Sequence, residues 1–519
     1  MWLLVNDSLQ AKSNLPFSRE TVSFIHQIMD KRKYPRHPIQ IIMERRGYQE
    51  SVTSSLPDNK FYSNKTIIQE TNMDQTLKFS DIGHFSTQFD AEPENQLSMN
   101  AVTKNGVQDV ALNREVFCQT NHTFSNLIQT PKATNQLHSG RCWLFAGLNT
   151  LRLEAMKELN LEQFELSQSY LMFWDKLEKA NFFLENIIET RNEPLDGRLV
   201  MWLLDYPLPD GGQWDMFVSL IKKYGVVPKS VMPESHSSSD SKTMNAIIAA
   251  KLREYAQILR ELHQEGAELE DLRGEKEEML EEIYRMLAIH LGKPPALFMW
   301  EWRDKDNAFH RRGALTPLQF FNEYIKMDLR EQICLINAPT ADKPFNKTYT
   351  VQYLGNVVGG QPIQYLNVDL QTLKKAAVDM IVDGHAVWFG CDVGKWFAKE
   401  PGILDPQIYD FELVYGMNFA QDKAGRLNYG QSRMTHAMVL TGVDLDDSGN
   451  PLKWRVENSW GPEEGDKGYL VMSDDWFDQY LYEITVRKDY LSPELLSALE
   501  AAPVKLPPWD PMGALAIAS

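Results

Sequence analysis

Three side chains in this sequence can form a covalent catalyst if the fold brings them together: Cys142, His436 and Asn458. A thiol is a weak nucleophile until it loses its proton. Orphan amide N–H groups and the dipole of a helix start favour the thiolate. Cys142 stands where a helix should begin, just after Ser139-Gly140-Arg141. His436 opens a segment rich in β-branched and apolar residues, and an imidazole can serve first as base and then as acid. Asn458 follows the next such segment, so a hairpin would set its amide oxygen beside the ring and fix the tautomer. A neutral orienter suits a thiolate–imidazolium pair, which already carries both charges. Trp460 can shield that bond from water, which strengthens it. Gln136, six residues before the cysteine, offers a side-chain N–H beside the Cys142 backbone N–H, giving two donors for an oxyanion.

The remaining candidates carry less. A lone cysteine is most often a small packed hydrophobe, and Cys118, Cys334 and Cys391 read as buried structural thiols. His138 reads as a loop histidine of the oxyanion turn rather than the base. His310 and His385 have no partner pattern. Gly359-Gly360 lacks a following Lys-Ser/Thr and is no phosphate loop. No cysteine pair has metal-ligand spacing, and the thiol chemistry of the residues above calls for no metal and no organic cofactor.

The elements that must position these groups follow from pattern. Leu144, Leu148, Leu151 and Ala155 recur at helical spacing, predicting a helix over 142–157 with Cys142 at its start. A second helical region spans 165–186, and a third, from Trp214 to Lys223, follows the turn Asp210-Gly211-Gly212. Residues 240–290 read as two helices joined by a charged bend, with the acids from Glu265 to Glu282 on a solvated face. Short β-rich segments at 435–443, 454–457 and 468–472 predict an antiparallel sheet that carries His436 and Asn458. The stretch from Leu506 to Ser519 reads as an ordered tail without regular structure.

The whole chain bounds the function. At 519 residues with 43% hydrophobic content it can bury a large core without disulfide or metal staples. Acidic residues number 71 against 53 basic, and a formal charge of -18 opposes binding to nucleic acid or anionic membranes. Four cysteines suggest a reducing compartment, and no apolar run is long enough to span a bilayer, so the reading is cytoplasmic. Residues 1–75 differ in composition, rich in Ser, Asn, Gln, Lys and Pro, and read as an N-terminal extension of unknown role.

The string Asn135-Gln136-Leu137-His138-Ser139-Gly140-Arg141-Cys142-Trp143, the His436 segment and Asn458-Ser459-Trp460-Gly461 resemble the papain-like cysteine peptidases. Further stretches resemble one branch, bleomycin hydrolase and aminopeptidase C. These are Leu166 to Tyr170, Asp210 to Asp215, Met299 to Lys305, Trp388-Phe389-Gly390-Cys391-Asp392-Val393-Gly394-Lys395, and Trp509 to Ala516. The resemblance runs from about residue 77 to 516.

It implies an α+β papain-like fold: a helical lobe (76–235), a mainly helical insertion (236–350), a β-rich lobe (351–500) and a C-terminal arm in the cleft (501–519). It places nucleophile, base, orienting amide and oxyanion donor on Cys142, His436, Asn458 and Gln136. It places substrate contacts on Gly211, Gly212, Trp460, Ala516 and Ser519. The sequence separation of Cys142 from His436 is far longer than a minimal two-lobed domain needs, and the family's insertions help build a homohexamer. The implied activity is removal of N-terminal residues from peptides. Hydrolysis of bleomycin-like carboxamides comes with it, and homocysteine thiolactone is a further substrate. Ile517-Ala518-Ser519 extend past the family-like end, and self-trimming there is expected. Two alternatives stay open: an endopeptidase of the same fold, and a non-enzymatic nucleic-acid-binding or scaffold protein.

Overall fold

The computed structural model describes residues 76–517, and the expectations for 1–75, Ala518 and Ser519 lie outside them. The chain divides into two units, up to Ile82 and from Gly83 onward, and the second holds both the helical lobe and the main sheet.

Helix α1 (Cys142–Glu158) is buried on nearly all sides, as its apolar content requires. Gly147 sits in its middle because a Cβ there would lie 2.8 Å from the ring of Phe217 on α3 (Trp214–Tyr224). The close crossing of the two helices outweighs the helix-weakening effect of glycine. Helix α2 (Gln168–Glu189) packs beside them, with the Ser167 hydroxyl accepting from the Tyr170 N–H at its start.

Helices α4 (Lys242–Gln264) and α5 (Leu269–Leu291) form an antiparallel pair against α2. Met244, Ile248, Leu252, Tyr255 and Leu259, then Leu272, Met279, Ile283, Leu287 and Leu291, are buried, and the acid-rich positions face outward. After Leu291 the region expected to be mainly helical changes character. Strands β1 (Phe298–Arg303) and β2 (Phe309–Leu315) form a separate antiparallel hairpin. The reason is periodicity: Phe298 and Trp300 are buried while Met299 and Glu301 face out, a period of two.

The chain then enters the main sheet, which has 12 strands. Its first strand after the hairpin, β3 (Gln332–Ile336), pairs antiparallel with Leu481–Arg487 from the chain's last third. Val387–Cys391 pairs antiparallel with both His436–Leu445 and Leu481–Arg487, and His436–Leu445 pairs antiparallel with Pro451–Glu457. One apolar cluster fills the space between one face of this sheet and the helical lobe, and a second packs the other face against Leu370–Val382. The expected antiparallel arrangement of the 435–472 segments is present, with Pro451–Glu457 paired to Tyr469–Ser473.

Two local expectations are corrected. Cys118 is exposed, on the short helix Arg114–Gln119, because that turn is amphiphilic and presents it to solvent beside Glu115 and Gln119. Cys334 and Cys391 are buried. The tail is regular: Val504–Leu506 pairs parallel with Lys347–Val351, and Pro511–Ile517 is a 3-10 helix. The Asp510 carboxylate accepts the Met512 N–H at 2.9 Å and so closes the first turn.

Among the described residues no helix is long and apolar enough to cross a membrane.

Candidate active site

The chain before α1 and the end of strand Pro451–Glu457 are zipped together. Gln136 N–H donates to the Ser459 carbonyl at 2.8 Å, and Gly461 N–H to the Thr134 carbonyl at 3.0 Å. Buried Glu457 pairs with Arg152 of α1 and accepts from Asn149 Nδ2 at 2.9 Å. These contacts hold the start of α1 against the sheet.

Cys142 is the first residue of α1, and its sulfur is buried. The backbone N–H groups of Ala437, next to His436 in the sheet, of Trp143 and of Cys142 itself favour its ionised form. Burial pushes the thiol up to about 11, these three N–H groups pull it down, and the nearby Asp210 charge raises it. Ser139 is not the helix cap: its hydroxyl donates to the Gln136 carbonyl at 2.7 Å.

His436 is the first residue of its strand and is also buried. Its Nε2 donates to Asn458 Oδ1 at 2.9 Å, and that oxygen also accepts the Ser459 N–H at 2.8 Å. Burial pushes the imidazole down to about 4, while the bond to Asn458 works in the other direction. Trp460 covers the ring, with centroids 4.7 Å apart and planes tilted by 36°. Burial thus opposes a lone thiolate and a lone imidazolium alike. A proton passed from one to the other makes both charges together, where each offsets the other.

Gln136 is buried in the same wall. Its Nε2 donates to the Ser139 carbonyl at 2.6 Å, which leaves one amide N–H, and its Oε1 accepts from Ser459 Oγ at 2.6 Å. Leu137 follows at φ 52°, a left-handed conformation that is costly for leucine, at the turn into His138. His138 is exposed, and its backbone N–H donates to the Ser239 carbonyl rather than bringing the ring to the thiol.

The Asp210-Gly211-Gly212 loop packs against the start of α1, with Trp143 Nε1 donating to the Asp210 carbonyl at 2.8 Å. Asp210 accepts the Gly140 N–H at 3.0 Å and Asn245 Nδ2 at 2.6 Å, and it bonds the Ser241 hydroxyl. Burial alone would raise its carboxyl, but Lys176 at 2.6 Å and these donors hold it well below the usual carboxylate range. Lys179 donates to the Gly211 carbonyl at 2.6 Å and pairs with Asp175 at 2.7 Å, while burial pulls its ammonium down to about 8. Gly212 must lack a side chain because a Cβ would lie 2.4 Å from Trp143 Cε2. A groove of about 750 Å³ opens beside this loop, lined by Ser139, Gly140, Asp210 and the first turns of α4.

The tail reaches the back of the loop. The Met512 carbonyl accepts from Tyr365 Oη at 3.1 Å and Gln213 Nε2 at 3.4 Å. Ala516 is buried and shares a small cavity with Lys179 and Pro209. Ser519 lies outside the described residues. Lys176, Lys179 and Ser459 escaped the sequence reading as site residues. The lysines occur in an apolar helix on the same face as Asp175, and that mismatch of type and pattern was the available signal.

The family model described as the Peptidase C1-like family matches residues 76–513. Aminopeptidase C of Listeria monocytogenes is 50% identical over 445 residues, which cover 86% of this chain and 100% of the relative. Bleomycin hydrolase of Gallus gallus is 46% identical over 441 residues, covering 83% and 97%. The crystal structure of PepW from Lactobacillus rhamnosis superposes with a TM-score of 0.84 at 47% identity, covering 85% of this chain and 100% of the other.

Proposed function

The chain belongs to the Peptidase C1-like family, and from that premise we propose that it is a thiol aminopeptidase whose working groups are Cys142, His436, Asn458 and Gln136. The observation that carries the reading is the hydrogen bond from His436 Nε2 to Asn458 Oδ1, made beside a cysteine at a helix start. With Nε2 engaged, Nδ1 is the nitrogen that exchanges a proton with the thiol. The Cys142 thiolate attacks the first peptide carbonyl, forming the C–S bond and sending the carbonyl electron pair to oxygen. The Cys142 N–H and the free N–H of Gln136 hold that oxyanion. As the carbonyl reforms, the C–N bond breaks and the imidazolium gives its proton to the leaving amine. Water, deprotonated by His436, then attacks the acyl-thioester, and the thiolate leaves.

Amide and thioester carbonyls share this tetrahedral path, so bleomycin-like carboxamides and homocysteine thiolactone fall within its reach. Gly211 and Gly212 offer backbone to an extended peptide, Trp460 borders the reacting bond, and the tail around Ala516 limits the space beyond the substrate's first residue. The peptidase works in the cytoplasm as a homohexamer. The formal charge of -18 disfavours a nucleic-acid partner.

The test uses aminoacyl fluorogenic amides with free and acetylated α-amines. Turnover of the free amine only, lost in Cys142→Ala, is expected. Equal cleavage of the acetylated substrate would replace the aminopeptidase reading with an endopeptidase, and full activity of the alanine variant would remove the nucleophile.

A further inference from the structure

The segment Trp388 to Lys395 stands out in the sequence, yet none of its side chains takes part in the chemistry above. Its strand runs beside that of His436, with Cys391 directly opposite the histidine. The next residue, Asp392, leaves the strand with its carboxylate buried.

That carboxylate gathers three donors from one short turn. Ser432 Oγ donates to Oδ2 at 2.8 Å, Arg433 N–H to Oδ2 at 3.3 Å, and Thr435 Oγ1 to Oδ1 at 3.3 Å. Thr435 is the residue before His436, and its own N–H donates to the Cys391 carbonyl at 2.9 Å. The turn is buttressed from behind: Tyr482 Oη donates to Ser432 Oγ at 2.7 Å. Asp392 is rooted in turn through its N–H, which donates to the Tyr480 carbonyl at 3.0 Å. The nearest cation, Lys395, stands 4.0 Å away, so the charge is answered mainly by hydrogen bonds.

We propose that Asp392 is the positioning residue of the base, fixing the 432–435 turn so that His436 enters the sheet with its ring aimed at Cys142. The proposal rests on the assignment of His436 as base. Asn458 holds one edge of the ring and Trp460 covers its face, but both act on the ring and neither fixes the turn through which the chain enters the strand. Asp392 fixes that backbone from the other side. Misplacement of a reacting group by about 1 Å costs on the order of 100-fold in rate.

The test compares full-length wild type with Asp392→Ala, Asp392→Asn, His436→Ala and Cys142→Ala. Expected for Asp392→Ala is a fall in kcat on the order of 10- to 100-fold with KM within about twofold. Its rate of Cys142 alkylation by iodoacetamide should also lose the part below pH 7 that a thiolate–imidazolium pair supplies. Asp392→Asn, which keeps an acceptor for the turn, should recover much of both. If Asp392→Ala does not fold, Ser432→Ala combined with Thr435→Val removes two of the donors and should reproduce the alkylation change. A normal kcat and alkylation profile in Asp392→Ala, or in the double variant where that replaces it, overturns the proposal when His436→Ala is inactive. Full activity in His436→Ala would instead overturn the assignment of the base.

Discussion

Ser459 Oγ lies 2.6 Å from Gln136 Oε1, joining residues 323 positions apart in the chain. The bond fixes which end of the Gln136 amide faces the cleft. With Oε1 held by a hydroxyl, Nε2 must point toward the Ser139 carbonyl and the space in front of Cys142. Ser459 is also the neighbour of Asn458, so one short segment orients both the His436 ring and the Gln136 amide.

Ser459→Ala should therefore lower kcat by about tenfold, the loss of roughly one hydrogen bond's worth of orientation, with little change in KM. Gln136→Ala should lose on the order of 100- to 1000-fold, as removal of an oxyanion donor does. Steady-state kinetics on a free-amine substrate checks both, and combining the two should add little beyond Gln136→Ala alone. Full additivity would mean that the serine acts elsewhere.

Gly212→Ala places a methyl group 2.4 Å from the Trp143 ring, whose Nε1 is already tied to the Asp210 carbonyl at 2.8 Å. Neither side can retreat easily. We expect a loss of about 1–3 kcal/mol in stability and a shifted 210–212 loop, read as a lower midpoint in denaturant and a raised KM. Gly394→Ala is the control, since nothing lies within 4 Å of a Cβ there.

The helix that starts at Cys142 and the strands that carry His436 and Asn458 were legible because their apolar spacing is local. The hairpin 298–315 was not read, because two tryptophans in a short run suggest core as readily as alternation. Cys118 went the other way: thiols are usually buried, and only its polar neighbours Glu115 and Gln119 hinted at exposure. The lysines under the glycine loop show in the sequence only as charges out of place in an apolar helix, and their role there has a deeper cause. Burying an ammonium depends on acceptors that the fold gathers from afar, here the carbonyls of Pro209 and Gly211. The same holds for Ser459 and Gln136, whose partnership exists only after the two lobes meet.

Glu483 sits in the sheet's centre, buried, with no ion-pair partner among the described residues, and burial pushes its carboxyl up to about 8. A carboxyl whose pKa is higher in the fold than in the unfolded chain binds more protons when folded. Its contribution is complete below the unfolded value near 4.5 and is lost as pH rises toward and through 8. Stability measured by urea unfolding should therefore decline between about pH 5 and 9. Glu483→Gln should flatten that decline and be the more stable protein at the alkaline end. An unchanged slope would mean that the charge is accommodated in the fold.

Lys343 and Asp510 form an ion pair at 2.9 Å, both nearly inaccessible, and Tyr365 and Gln213 grip the Met512 carbonyl beyond it. Gln213 directly follows the glycine loop, so the tail and the loop share an anchor. A segment held this firmly can close one end of a cleft and admit only a short stretch of substrate before the scissile bond. Removing residues 511 onward should then let N-acetylated peptides in, raising their cleavage from background to a rate comparable with free-amine substrates. Lys343→Met should act in the same direction but less completely, because it leaves Met512 bound while stranding the Asp510 charge. Product analysis by mass spectrometry distinguishes cuts after the first residue from internal cuts. Continued rejection of blocked peptides by the shortened protein would show that selectivity for the free amine resides elsewhere in the cleft.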